Sequence, residues 1–110
     1  MIFKYKNRQI EFSARQVSFL GKFIGLMFHT KNSENLLFKF KKNTSISIHS
    51  FFVFFKFLAV WTDEDYNVID FKIVKPFKLN IIPKKSFRNL IEIPLNESNK
   101  NILYFFVGER

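Results

Sequence analysis

The sequence predicts a mainly β fold: a small, partly open barrel or sandwich of about seven strands with one short helix. Three observations predict it. Apolar and polar residues alternate with period two in several short runs, the signature of strands with one buried and one wet face. Pro76, Pro83 and Pro94 punctuate the second half, and proline cannot sit inside a central ladder. Helical spacing with a start signal occurs once, near Ala14 to Ile24.

The elements follow in order. Phe3 and Tyr5 alternate with Lys4 and Lys6, and Ile10 and Phe12 with Gln9 and Glu11, which predicts a hairpin turning at Asn7-Arg8. Ser13-Ala14-Arg15-Gln16 fits a capping box, and Phe12 with Val17 fits a hydrophobic staple. Val17, Leu20, Ile24 and Met27 then recur at helical spacing, with Arg15, Ser18 and Lys22 on another face and Gly25 as a stop. Leu36 to Phe40 reads as a strand, and Ile46 to His49 as another that runs on into Phe51-Phe52-Val53-Phe54-Phe55. Phe57 to Thr62 follows, and the whole run from Phe51 to Trp61 is expected in the core. Asp63 to Asn67 is a polar turn, Val68 to Val74 alternates again, and Phe77 to Ile82, Phe87 to Ile93 and Ile102 to Val107 complete the strands.

At 110 residues the length suits a single domain, residues 1–110, and the 47% hydrophobic share with 17 Phe argues against a disordered tail. The chain has no cysteine, so disulfide scaffolds, thiolate metal sites and cysteine nucleophiles are excluded. No opening stretch resembles a signal peptide and no apolar run approaches the length of a membrane span, so a soluble, cytoplasmic domain is expected.

Eighteen Lys and Arg against nine Asp and Glu give a net charge of +9. Residues 1–60 hold +8 of it and residues 61–110 only +1. A one-sided field concentrates anions. Against that, Phe, Lys, Asn, Ile and Tyr, all with AT-rich codons, make up 56 of the 110 residues, a skew that genome composition alone produces.

Gly25-Leu26-Met27-Phe28, followed by Leu36-Leu37-Phe38-Lys39-Phe40, resembles domain-of-unknown-function family 192. Further matches come in order: Ile48-His49 before Phe51 to Phe55, as in the archaeal-type branch, then Asp63, Lys75-Pro76-Phe77 and Leu90-Ile91-Glu92-Ile93-Pro94. The likeness spans residues 17–94 and implies a mainly β domain, but no reaction. The member is divergent: His29 stands where the family has Arg, Phe51-Phe52-Val53 where the bacterial branch has Lys-Asn-Thr, and Lys56-Phe57-Leu58 where Pro-Ile/Leu-Asp is usual.

Candidate chemistry is sparse. His49 sits beside a Phe run with Ser47 and Ser50 flanking it, but adjacency in sequence is not triad geometry. His29 suits a helix end. Asp63, Asp65 and Asn67 hold positions 1, 3 and 5 of a calcium-loop register, which then meets Val68 and Val74 where Gly and Glu are needed. No metal site and no cofactor is expected. Lys39-Phe40-Lys41-Lys42 and Lys84-Lys85-Ser86-Phe87-Arg88 interleave cations with rings, as single-strand binders do. The reading is a non-catalytic binding module with His49, Lys39, Lys41, Lys42 and Lys22 as binding candidates. The alternative is a sequence-nonspecific single-stranded nucleic-acid binder; a hydrolase-like enzyme using His49 is third. The partners these readings suggest are an anionic ligand or nucleic acid.

Overall fold

The opening alternation forms an antiparallel hairpin, β1 (Ile2–Tyr5) with β2 (Arg8–Glu11), in a computed structural model that describes residues 1–17, 26 and 29–108. The turn falls one residue earlier than expected, at Lys6-Asn7, where φ is 50° and 62°. Two successive left-handed residues make a two-residue turn whose twist matches its strands. Phe3 is fully buried and stacks on Phe12 with ring centroids 3.8 Å apart.

The main sheet has five strands: β3 (Arg15–Gln16), β4 (Leu36–Thr44), β5 (Phe57–Thr62), β6 (Val68–Val74) and β7 (Phe87–Pro94). Their spatial order is β3-β4-β7-β5-β6. The two-residue β3 runs parallel to β4, and every other neighbouring pair is antiparallel. Both faces of the sheet are covered, so the interior strand β5 is buried at all six positions and reads as a continuous apolar run rather than an alternation. On one face Leu37, Leu58, Val60, Ile91 and Ile93 pack beneath the hairpin and helix α1 (Lys100–Val107). On the other, Leu36, Phe38, Ala59, Trp61 and Leu90 pack against Leu26 and Val53.

Among the described residues the fold is therefore mainly β, seven strands in two sheets with one short helix and no closed barrel, as the alternation predicts. The helix lies elsewhere than expected. Arg15 and Gln16 are strand: the Arg15 N–H donates to Asn35 O at 2.8 Å and the Val17 N–H to Leu37 O at 3.0 Å. Most of the expected helix, residues 18–24, falls outside the described residues. The observed helix occupies the segment read as the last strand. Ile102, Phe105 and Phe106 are its buried residues, an i, i+3, i+4 stripe concealed in a run that is apolar throughout. A 3₁₀ turn, Glu97–Asn99, leads into it, with the Asn96 side chain accepting from the Asn99 N–H at 3.0 Å.

Topology also places the two long connections. β4 and β5 both run antiparallel to β7, and β6 and β7 both run antiparallel to β5. Each connection, 45–56 and 75–86, therefore joins parallel strands and must travel the length of the sheet. Both cross the face that carries Trp61, with Ile48, Val53, Phe55 and Ile81 turned into that core. The strands expected at 46–55 and 77–82 are absent; one isolated pairing, Ile48 with Ile81, joins the two segments.

Candidate functional site

Segments 45–56 and 75–82 lie side by side because of Ser50. Its side chain is completely buried. The hydroxyl donates to Lys75 O and accepts from the Lys78 N–H, each at 2.6 Å. Its backbone N–H donates to Lys78 O at 2.8 Å, and its carbonyl accepts from the Phe77 N–H at 2.9 Å and the Val53 N–H at 3.2 Å. A buried hydroxyl with both roles filled fixes one segment against the other.

With Val53 turned inward, its neighbours turn outward. Phe54 is 63% exposed, Leu79 60%, Phe77 48% and Phe52 47%. The rings of Phe51, Phe52 and Phe54 meet Phe77 edge-on at 6.4, 6.5 and 5.4 Å. Phe52, Phe77 and Asn80 adopt left-handed backbone, with φ of 58°, 59° and 54°. For a bulky non-glycine residue this costs about 1–2 kcal/mol. The fold thus holds large apolar side chains in water on strained backbone. The core expected for the run from Phe51 to Trp61 is confined to Val53, the half-buried Phe55 and the stretch from Phe57 onward; Phe51, Phe52 and Phe54 form an outer pad instead.

The pad is framed by cations. Lys56, Lys75 and Lys78 are exposed on the two segments, and residues 35–62 and 71–91 contain no Asp or Glu. His49 sits at the rim, exposed, its ring 6.0 Å from that of Phe51 and its Nδ1 accepting from the Phe51 N–H at 3.2 Å. Among the described residues His49 has a backbone donor and a phenyl ring as partners, and no carboxylate.

The other expected binding residues are not gathered there. Lys39, Lys41 and Lys42 are exposed along β4, beyond the short stretch that β3 covers, and Lys22 lies outside the described residues. Phe40, between the lysines, turns toward the sheet and meets Phe87 edge-on at 5.6 Å, while Arg88 Nε donates to Phe40 O at 3.0 Å. Asp63 organises its own turn: Oδ1 accepts from the N–H of Asp65 and Asn67, and Oδ2 from the Asn67 amide. Among the described residues no group of three or more His, Asp or Glu is placed to hold a metal.

A cleft of about 760 Å³ lies between β2, the 32–35 loop and the start of α1. Its central amides are already committed. Asn35 and Asn99 bond each other at 2.9 and 3.2 Å, Asn99 also donates to Pro94 O and Asn35 to Ser13 O. Every side-chain polar atom of this pair has a partner, so the cleft is a seam that ties three segments together.

Beneath Leu26 the sheet buries one carboxyl. Glu92 on β7 is 5% exposed and accepts from the Leu26 N–H. Burial pushes its pKa up to about 8, more than that one donor can offset. The Trp61 indole N–H is buried without a partner among the described residues.

Comparison places the chain among known proteins. A UPF0127 protein of Pyrococcus horikoshii is 37% identical over 87 residues, which cover 76% of this chain and 74% of that one. The chain belongs to the UPF0127 family. UPF0127 proteins of Thermococcus kodakarensis and Thermococcus gammatolerans are 35% and 31% identical over 80 residues, 71% of this chain. The chain spans about half the length of these two relatives, 50% and 52%. A crystal structure of a protein of unknown function from Novosphingobium aromaticivorans shares the fold, with a TM-score of 0.72 over 92% of this chain and 74% of that one, at 12% identity. No family model matches the chain.

In this UPF0127 chain the pad escaped sequence reasoning because an unbroken Phe run satisfies both a core strand and an exposed loop. The available signals were Ser50 immediately before the run, Pro76 beside Phe77, and the absence of carboxylates from both segments.

Proposed function

We propose that this UPF0127 chain is a single non-catalytic binding domain, a divergent archaeal-type member of domain-of-unknown-function family 192, and that the pad is its binding face. The observation that carries this reading is the pad's construction: Phe54, Phe77 and Leu79 are held in solvent on backbone that Ser50 fixes from inside. Contiguous exposed apolar surface on a folded domain marks an interaction site. The test is a titration of the chain against lipid vesicles, a single-stranded oligonucleotide and itself, alongside the double variant Phe54→Ser/Leu79→Ser. Both side chains are mostly exposed, so the variant keeps its circular dichroism and loses whatever binding the parent shows. Binding that survives in full places the face elsewhere.

A second reading is a sequence-nonspecific nucleic-acid binder using β4. It is supported by three exposed lysines, Lys39, Lys41 and Lys42, in a carboxylate-free stretch. Replacing all three with Gln then weakens oligonucleotide binding and flattens its dependence on log salt. The hydrolase reading gains no support, because among the described residues His49 has no orienting carboxylate.

A further inference from the structure

We propose that the pad docks on an anionic lipid surface, with its apolar side chains entering the acyl boundary and its lysines meeting the headgroups. The inference rests on the pad being the binding face and names its partner. Three observations select lipid. First, the exposed apolar residues of the two segments, 45–56 and 75–86, mix aliphatic side chains, Ile46, Leu79 and Ile82, with rings. Stacking on bases wants a series of open ring faces, whereas these rings meet Phe77 edge-on at 66°, 72° and 74°. A hydrocarbon boundary accepts both kinds without geometric demand.

Second, the charge on the two pad segments has one sign. Lys56, Lys75 and Lys78 carry it, and neither segment contains a carboxylate. Two copies meeting pad to pad would bring like charges together, while an anionic leaflet supplies the complement. Third, Ser50 and the left-handed backbone at Phe52 and Phe77 set the side chains before any partner arrives, so little ordering is left for docking. No described helix is long and apolar enough to cross a membrane.

The experiment is cosedimentation of the full chain with vesicles of phosphatidylcholine alone and of an equal mixture of phosphatidylcholine and phosphatidylglycerol, at low and high salt. The parent partitions to the mixed vesicles and not to the neutral ones, and salt weakens it. Phe54→Ser/Leu79→Ser lowers partitioning by at least about tenfold through lost apolar burial. Lys75→Gln/Lys78→Gln lowers it by at least about tenfold on the mixed vesicles. Lys39→Gln/Lys41→Gln/Lys42→Gln lowers it less than either. The proposal is overturned if the parent ignores the mixed vesicles, binds both kinds alike, or keeps its partitioning in the Phe54→Ser/Leu79→Ser variant. An oligonucleotide or a second copy that binds the parent and is lost in that variant, with no vesicle binding, overturns lipid as the partner and leaves the pad as the face. Vesicle binding that only the β4 variant abolishes overturns the pad itself.

Discussion

Ser50 and Phe54 stand four residues apart and carry opposite expectations. Ser50 fills its hydroxyl twice in a site with no water access, so Ser50→Ala leaves the Lys75 carbonyl and the Lys78 N–H without that partner. The expected loss is about 1–3 kcal/mol, read by urea denaturation, with faster hydrogen exchange at the Lys78 amide. Phe54 is 63% exposed. Phe54→Ala is expected to change stability by less than about 1 kcal/mol, although its place in a Phe run suggests a core ring. Glu92 adds a pH dependence. Its carboxyl holds its proton up to about 8 in the folded chain, against the ordinary 4.5 when unfolded. Between those values the unfolded state gives up a proton that the folded state keeps, so stability falls as pH rises through that window. Below it both states are protonated and the effect vanishes. Glu92→Gln keeps an acceptor for the Leu26 N–H and removes the charge. The variant is expected to match the parent near pH 4 and to exceed it at pH 8 by roughly 3–5 kcal/mol, and parallel denaturation curves across that range would contradict the buried site.

At the scale of elements, legibility followed the number of faces each one buries. The hairpin and the turn at Asp63 each show a wet side to solvent, and alternation or turn chemistry marks them in the sequence. The alternation of β6 misreads its face, since Phe71 packs on one side of the sheet, Ile69 on the other, and Ile73 is 47% exposed. β5 and β7 are buried on both faces, so their runs identify a core without identifying its layers. The run from Ile102 to Val107 is short and apolar at every position, and period cannot be read where nothing is polar. The cue that separates helix from strand there lies upstream, in Asn96 accepting from Asn99. The capping box at Ser13 shows the converse: Arg15 and Gln16 find backbone partners on Asn35 and β4, and pairing overrides local preference. The site was less legible than the fold, because exposure of a Phe depends on which neighbour Ser50 turns inward. The docking of α1 on the hairpin gives a prediction at this scale. The Phe106 ring lies 5.4 Å from Phe3, 5.8 Å from Tyr5 and 5.0 Å from Phe71. Phe106→Ala is expected to cost about 3–5 kcal/mol, with loss of near-ultraviolet signal from the hairpin tyrosine. A cost below about 1 kcal/mol would mean that the helix is not seated on the sheet.

Over the whole molecule, charge acts as a single field. The net charge is +9, and the described ion pairs are three exposed contacts: Arg15 with Glu34, Arg88 with Glu64 and Lys100 with Glu97. Pairs of that kind contribute about 0–1 kcal/mol each, so screening them loses little. Screening the repulsion among unbalanced lysines gains more, because self-repulsion opposes the compact state. Added salt is therefore expected to raise the denaturation midpoint. The densest contributors, Lys39, Lys41 and Lys42, take part in none of the three pairs. Replacing them with Gln should stabilise the chain at low salt and shrink its response to salt. The same lysines stand on β4 beyond the reach of β3, where cations discourage one sheet from adding to another. The triple variant is thus expected to gain stability yet scatter more light as its concentration rises, two effects with separate readouts. A parent midpoint that falls with salt would show that the ion pairs outweigh the net charge. A variant that stays clear at every concentration would show that these lysines do not guard the edge.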